Sequence, residues 1–155
     1  MKIRLVAVGR LRPGPEASLI ADYATRFDRT GRGLGLGPLD IREVEAKKSD
    51  PSTEAPLIDK ARSGTDILVT LDERGKTLTS PELAEKLASW RDQGRREACF
   101  VIGGASGLTS GLRTEADLSL SFGKLVWPHM LARVMLCEQL YRAASILAGG
   151  PYHRD

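Results

Sequence analysis

Asp66-Ile67-Leu68-Val69-Thr70-Leu71-Asp72 is the stretch on which the architecture turns. The run Asp66 to Leu71 is apolar on both faces of an extended chain. A strand of that kind must be covered above and below, which places it in the middle of a sheet with helices on either side. Glu97 to Ile102 has the same character and breaks at Gly103-Gly104-Ala105-Ser106-Gly107. Outward from these two, Ile3 to Val8 reads as a first strand closed by Gly9, Leu39 to Val44 as another, and Asp117 to Phe122 as the last.

Helical segments alternate with these runs. Residues 15 to 29 carry Leu19, Ile20, Tyr23 and Phe27 on one helical face. Thr53 to Arg62 is a polar helix. Ser80-Pro81-Glu82 opens a third, with Ser80 as N-cap and Pro81 at the first helical position, and that helix runs to about Gln93 before Gly94. A short helix around Thr109 to Glu115 follows, and the last spans His129 to Ala148, stopped by Gly149-Gly150-Pro151. Strand and helix in alternation predict an α/β fold with a mainly parallel sheet flanked by helices, in a single domain over 1–155. Gly31 to Pro38 superficially looks like a phosphate loop. A dinucleotide fingerprint follows a strand and opens a helix, whereas this run follows a helix and leads into a strand, so a flexible connector is expected.

Composition narrows the function. The chain has 155 residues, is 41% hydrophobic and carries a net charge of +3. A pI near 9.0 is compatible with an acidic partner. Residues 1 to 32 concentrate the excess, with seven Lys/Arg against three acids. That surplus is either a solvated helix face or a phosphate-contacting surface, with Arg10, Arg12, Arg26 and Arg29 as the candidates. Cys99 and Cys137 lack metal-ligand spacing and read as core filler. No signal peptide or long apolar run is present, so a cytoplasmic protein with reduced thiols, no metal and no membrane association is expected.

Chemistry-bearing residues gather late in the chain. The last 34 residues hold both histidines, His129 and His153, and four of the eight aromatics. A tail reading Pro151-Tyr152-His153-Arg154-Asp155 suggests a docked terminus rather than a frayed one. Three strand ends also stand out: Leu71-Asp72, Gly103-Gly104 and the loop from Phe122 through Gly123, Lys124, Leu125, Val126 and Trp127 to Pro128. Ligands of open α/β sheets collect at such ends, where glycine lets backbone donors approach closely. His129 and Arg133 share a helix face, as do Glu138 and Arg142, whose spacing reads first as a surface ion pair.

Taken together, Ile102-Gly103-Gly104 with Gly107, Leu118-Ser119-Leu120-Ser121, Pro128-His129 with Arg133-Val134, Glu138-Gln139 with Tyr141-Arg142-Ala143, and Pro151-Tyr152-His153-Arg154 resemble the ribosomal RNA large subunit methyltransferase H family. This is a family of the SPOUT class. Leu5-Val6-Ala7-Val8-Gly9 and Thr70-Leu71-Asp72 fit it too, and the resemblance spans the chain. It implies a SPOUT-type α/β knot, with a C-terminal trefoil knot that is an exception to the rule against threading. It further implies S-adenosylmethionine held by Leu71, Gly103, Gly104 and the stretch Phe122, Gly123, Lys124, Leu125, Val126, Trp127. Lys124 in the ligand loop and Ala105-Ser106 after the double glycine are individual features of this chain.

The activity implied is methylation of N3 of a pseudouridine in 23S ribosomal RNA by a homodimer acting on assembled ribosomes. The catalytic candidates are His129, Arg133, Tyr152, His153 and Arg154, and which of them removes the proton stays open. Two other readings remain: another SPOUT activity, such as ribose 2′-O-methylation of transfer RNA, and a non-catalytic RNA-binding module. The Pro151-Tyr152-His153-Arg154 ending argues against the former.

Overall fold

A computed structural model describes residues 1–154. In chain order the elements are β1 (Lys2–Val8), α1 (Pro15–Gly31), a single 3₁₀ turn (Arg32–Leu34), β2 (Leu39–Val44), α2 (Pro51–Arg62), β3 (Ile67–Thr77), α3 (Ser80–Asp92), β4 (Glu97–Ile102), α4 (Ser110–Glu115), β5 (Leu118–Ser121) and α5 (His129–Leu147). The five strands form one sheet in the order β2-β1-β4-β3-β5. Every neighbouring pair is parallel.

Alternation along β1 shows why both faces need cover. Ile3, Leu5 and Ala7 point into one core, with Ile20 and Phe27 of α1, Leu83 and Leu87 of α3, and Leu136 and Leu140 of α5. Val6 and Val8 point into the other, with Ile58 of α2, Leu112 of α4, and Cys99. Arg4 shares this second side. It is almost enclosed, and its charge is met by Glu97 at 2.8 Å and by the Ala61 carbonyl at 2.9 Å. Burial pushes the thiols of Cys99 and Cys137 up to about 12, so both are inert core groups.

Four local expectations are corrected. The N-cap of α3 is Thr79, not Ser80, because Thr79 and Glu82 make a reciprocal capping box that places Pro81 in the second helical position. Leu19, expected on the buried face of α1, is 45% exposed. Residues 31 to 38 do not form a loose connector. Leu36 is buried, its N–H donates to the Gly31 carbonyl at 2.9 Å, and Arg91 donates to the Leu34 carbonyl at 2.9 Å.

The fourth correction shapes the site. β3 does not stop at Leu71 but continues to Thr77, pairing Leu71 with Leu120 and then, after a bulge, Lys76 with the same Leu120. The polar sequence Asp72-Glu73-Arg74-Gly75 hid this extension. Gly75 is required within it, since a Cβ there would lie 2.5 Å from the Ser119 carbonyl oxygen.

Gly31 gives a prediction in which two effects oppose each other. Alanine is favoured over glycine inside a helix by about 1 kcal/mol. A Cβ at Gly31, however, would lie 2.6 Å from the Leu36 carbonyl oxygen, which is backbone and held by the hydrogen bond just described. Overpacking of that kind costs about 1–3 kcal/mol, so Gly31→Ala should lower the midpoint of thermal or urea unfolding. An unchanged or raised midpoint would show that the 31–38 turn yields freely.

Candidate active site

The ends of β4 and β5 and the bulge of β3 after Leu71 lie at one end of the sheet and enclose a cavity of about 140 Å³. Leu71, Gly103 and Gly104 form one side of it. Phe122, Gly123, Leu125, Val126 and Trp127 form the other, and His129 closes the rim from the first turn of α5. Lys124 is exposed and does not line it. Eight of the nine residues expected to hold a cofactor are therefore brought together.

Backbone crowding explains the glycines. Gly107 donates to the Gly104 carbonyl at 3.0 Å, folding 103–107 into a tight turn. A Cβ on Gly103 would lie 2.6 Å from the Gly107 carbonyl oxygen, and one on Gly104 would lie 2.8 Å from Glu54 Oε1. The same turn is braced from α4. Arg113 pairs with Asp72 at 3.3 Å and donates to the Leu108 carbonyl at 2.9 Å, fixing the β3 bulge against the glycine turn. On the opposite wall Ser121 Oγ accepts the Gly123 N–H at 3.1 Å. The glycine turn thus presents fixed backbone on one wall, suited to a ligand recognised chiefly by main-chain groups.

Arg133 does not reach the cavity. Its side chain is fully enclosed, pairs with Glu43 at 2.7 Å, and donates to the carbonyls of Val8 at 3.3 Å and Gly9 at 3.0 Å. It therefore positions α5 and cannot touch a substrate from this place. Glu43 Oε1 also accepts the Leu11 N–H at 2.7 Å, so the pair ties the β1–α1 loop to α5.

The C-terminal residues gather elsewhere. Arg142 pairs with Glu138 at 2.6 Å, and the Tyr152 hydroxyl donates to the same Glu138 oxygen at 3.0 Å. His153 Nδ1 lies 3.4 Å from Arg142 Nη1, and the Tyr152 ring sits 4.6 Å from that of Tyr141. Glu138 and Arg142 are thus the clasp of a docked tail and not a surface pair. Burial, with help from Tyr23 and Glu138, raises the Tyr152 pKa, so its hydroxyl stays protonated and serves as a donor. Arg154 is exposed. His129 and Arg142 are thirteen positions apart on α5, about 20 Å along the axis. Within one chain the tail and the cavity are separate.

A larger apolar groove of about 610 Å³ lies between α1, the start of α3 and α5, lined by Leu19, Tyr23, Leu83, Val134 and Met135. It lacks the crowded glycine turn and shares Phe122 and Gly123 with the smaller cavity. Among the described residues no group of three or more His, Cys, Asp or Glu is placed to hold a metal ion, and no helix is long and apolar enough to cross a membrane. Sequence reasoning missed Glu43, Glu54 and Arg113. Glu54 offered only the signal of an acid in a first helical turn, and Glu43 none, since its partner is ninety residues away.

Comparison with known proteins fits this geometry. Residues 1–153 match the model of the family described as "Predicted SPOUT methyltransferase". A Ruegeria pomeroyi protein named ribosomal RNA large subunit methyltransferase H is 62% identical, with 99% of each chain covered. Its namesake from Dinoroseobacter shibae is 61% identical over 99% of each. Among solved structures, a methylase-family protein from Haemophilus influenzae aligns with a TM-score of 0.60 at 14% identity, covering 99% of this chain and 70% of that one. A methyltransferase from Bordetella pertussis aligns with a TM-score of 0.55 at 14% identity, covering 92% and 96%. These structures share the fold. With full-length matches at such identity, the chain belongs to the ribosomal RNA large subunit methyltransferase H family of SPOUT methyltransferases.

Proposed function

We propose that this protein methylates N3 of a pseudouridine in 23S ribosomal RNA, using S-adenosylmethionine and acting in the cytoplasm on assembled ribosomes. The observation that carries the reading is the glycine-walled cavity at the strand ends with an imidazole on its rim, in a chain of this family. Gly103 and Gly104 suit such a cofactor because they line the cavity with backbone alone. A cavity of about 140 Å³ is smaller than the ~300 Å³ at which ligand pockets begin. The loop bearing Leu125 and Val126, which are 71% and 86% exposed, is the wall that moves aside to admit the ligand. The trefoil threading of α5 belongs to the same reading.

S-adenosylmethionine supplies an electrophilic methyl group when bound, leaving the protein to position the acceptor and take up a proton. An imide nitrogen attacks poorly until it loses its proton, so a base must lie within hydrogen-bond reach. His129 stands at the cavity itself. The second candidate, His153, is held with Tyr152 about 20 Å along α5, too far to serve the same protomer's cavity. We therefore assign the tail to the cavity of a second copy. The apolar groove along α5, with exposed Leu19 and Leu131, is the surface on which that copy packs. Arg12 and Arg29 are exposed and could meet phosphates, Arg10 is exposed but pairs loosely with Glu45 at 3.9 Å, and Arg26 is engaged by Asp22 at 2.8 Å and lies over Tyr141.

Nucleoside mass spectrometry of ribosomal RNA from a deletion strain should show loss of one N3-methylated pseudouridine, restored by the wild-type gene. An unchanged modification profile would end the assignment. Gly103→Ala should weaken S-adenosylmethionine binding by roughly tenfold or more in calorimetry, a loss of ~1.4 kcal/mol or greater, because the new Cβ displaces the Gly107 turn. Equal affinity in the folded variant would move the cofactor elsewhere.

Deleting residues 151–155 should leave unfolding nearly unchanged and cut methyl transfer by ~10²-fold or more. Mixing that truncated chain with a Gly103→Val chain should recover about one working site per heterodimer. Recovery places the tail over the partner's cavity. A silent mixture would overturn the assignment of the tail to a second copy.

A further inference from the structure

Three charged residues are buried among those described: Arg4, Glu54 and Arg133. Arg4 is met by Glu97 and Arg133 by Glu43. Glu54 is 3% exposed, and no counter-ion or hydrogen-bond donor meets its carboxylate. Its oxygens are not among the fully enclosed atoms left without a partner, so they keep a thin contact with solvent, but a largely buried acid with no counter-ion still calls for a reason beyond stability. As the acid in the first turn of α2 it gains something from the helix end, but an exposed acid would gain that as well.

Its position supplies the reason. The two carboxylate oxygens lie 2.8 and 3.1 Å from the place a Gly104 Cβ would occupy. Gly104 is itself a wall of the cavity, so nothing but one glycine separates this charge from whatever binds there. The other charges nearby do not cancel it. Asp72 is already paired with Arg113, and Glu73 and Lys124 are exposed to solvent. Through so thin a wall a negative charge acts at short range.

We propose that Glu54 is a specificity-determining residue that favours the cationic cofactor over its neutral product. The proposal rests on the reading of the cavity as the S-adenosylmethionine site. On transfer the methyl–sulfur bond breaks and its electron pair stays on sulfur. The new carbon–nitrogen bond forms at the acceptor, whose proton passes to a base. The sulfonium becomes a thioether, so the cofactor loses the positive charge that Glu54 holds, and S-adenosylhomocysteine is released in preference to being retained.

Calorimetric titration with S-adenosylmethionine, S-adenosylhomocysteine and sinefungin, which carries an ammonium near the sulfonium position, tests this on the full-length protein. Wild-type protein should bind both cationic ligands more tightly than the thioether. Glu54→Gln should weaken the two cationic ligands by roughly tenfold and leave S-adenosylhomocysteine unchanged, while Glu54→Asp, which keeps the charge, should retain the preference. An equal loss for all three ligands would reduce Glu54 to a prop for the glycine turn, and no loss for any would reduce it to a helix-end acid. Each overturns the proposal. Should the glutamine variant not fold, parity of sinefungin and S-adenosylhomocysteine on wild-type protein overturns it equally. Wild-type protein that binds none of the three would instead remove the reading of the cavity, a failure distinguishable because it needs no substitution.

Discussion

Arg133 has no contact with solvent, and its charge is met by Glu43 and by two carbonyl oxygens at the end of β1. A buried guanidinium is tolerable only with its partners in place, and removing one side of such a pair costs about 3–5 kcal/mol when both are enclosed. Glu43 keeps a third of its side chain in water, so its share is smaller. The consequence is geometric. Once Arg133 is seated, the start of α5 cannot leave the end of β1, and the chain leaving β5 at Ser121 must cross to it in the seven residues 122–128. That crossing is the outer wall of the cavity, and His129 is where it lands.

The inner wall is set by a different device. β3 pairs twice with Leu120, and the bulge between the two registers throws Asp72 toward Arg113. The same arginine holds the Leu108 carbonyl just beyond the glycine turn. Gly103 and Gly104 are thereby pressed between Gly107 on one side and Glu54 and Val8 on the other. If the cavity is the cofactor site proposed above, the rigid inner wall would fix the ligand and the exposed outer loop would admit it.

Much of this was legible in the sequence for identifiable reasons. Runs apolar on both faces located the central strands, and the glycine pairs at strand ends located the cavity, because both features are local. β3 beyond Leu71 was not, since Asp72-Glu73-Arg74-Gly75-Lys76 carries no strand pattern and is held by a bulge that only β5 can supply. The turn after α1 was misread for a related reason: glycine suggests looseness, yet Gly31 and Leu36 are locked by a carbonyl contact. Arg133 was rightly singled out but given the wrong place, because helical spacing reports a shared face and not depth. Glu138 and Arg142 were read as a surface pair because the tail that covers them, Tyr152 and His153, comes from beyond the helix.

The separation of tail and cavity follows from α5 itself. A helix of 19 residues extends about 28 Å, so groups fixed to its opposite halves cannot serve one small ligand. The tail is docked by a carboxylate, a guanidinium and an aromatic pair, which is more anchoring than a terminus needs for stability alone. An apolar groove and exposed Leu19 and Leu131 lie along the same helix, a surface that water disfavours and a second copy would cover. On the proposed reading, packing two such helices against each other would bring one protomer's distant tail near the other's cavity. Under the proposed assignment, two copies would supply the active site for which one short chain lacks the span.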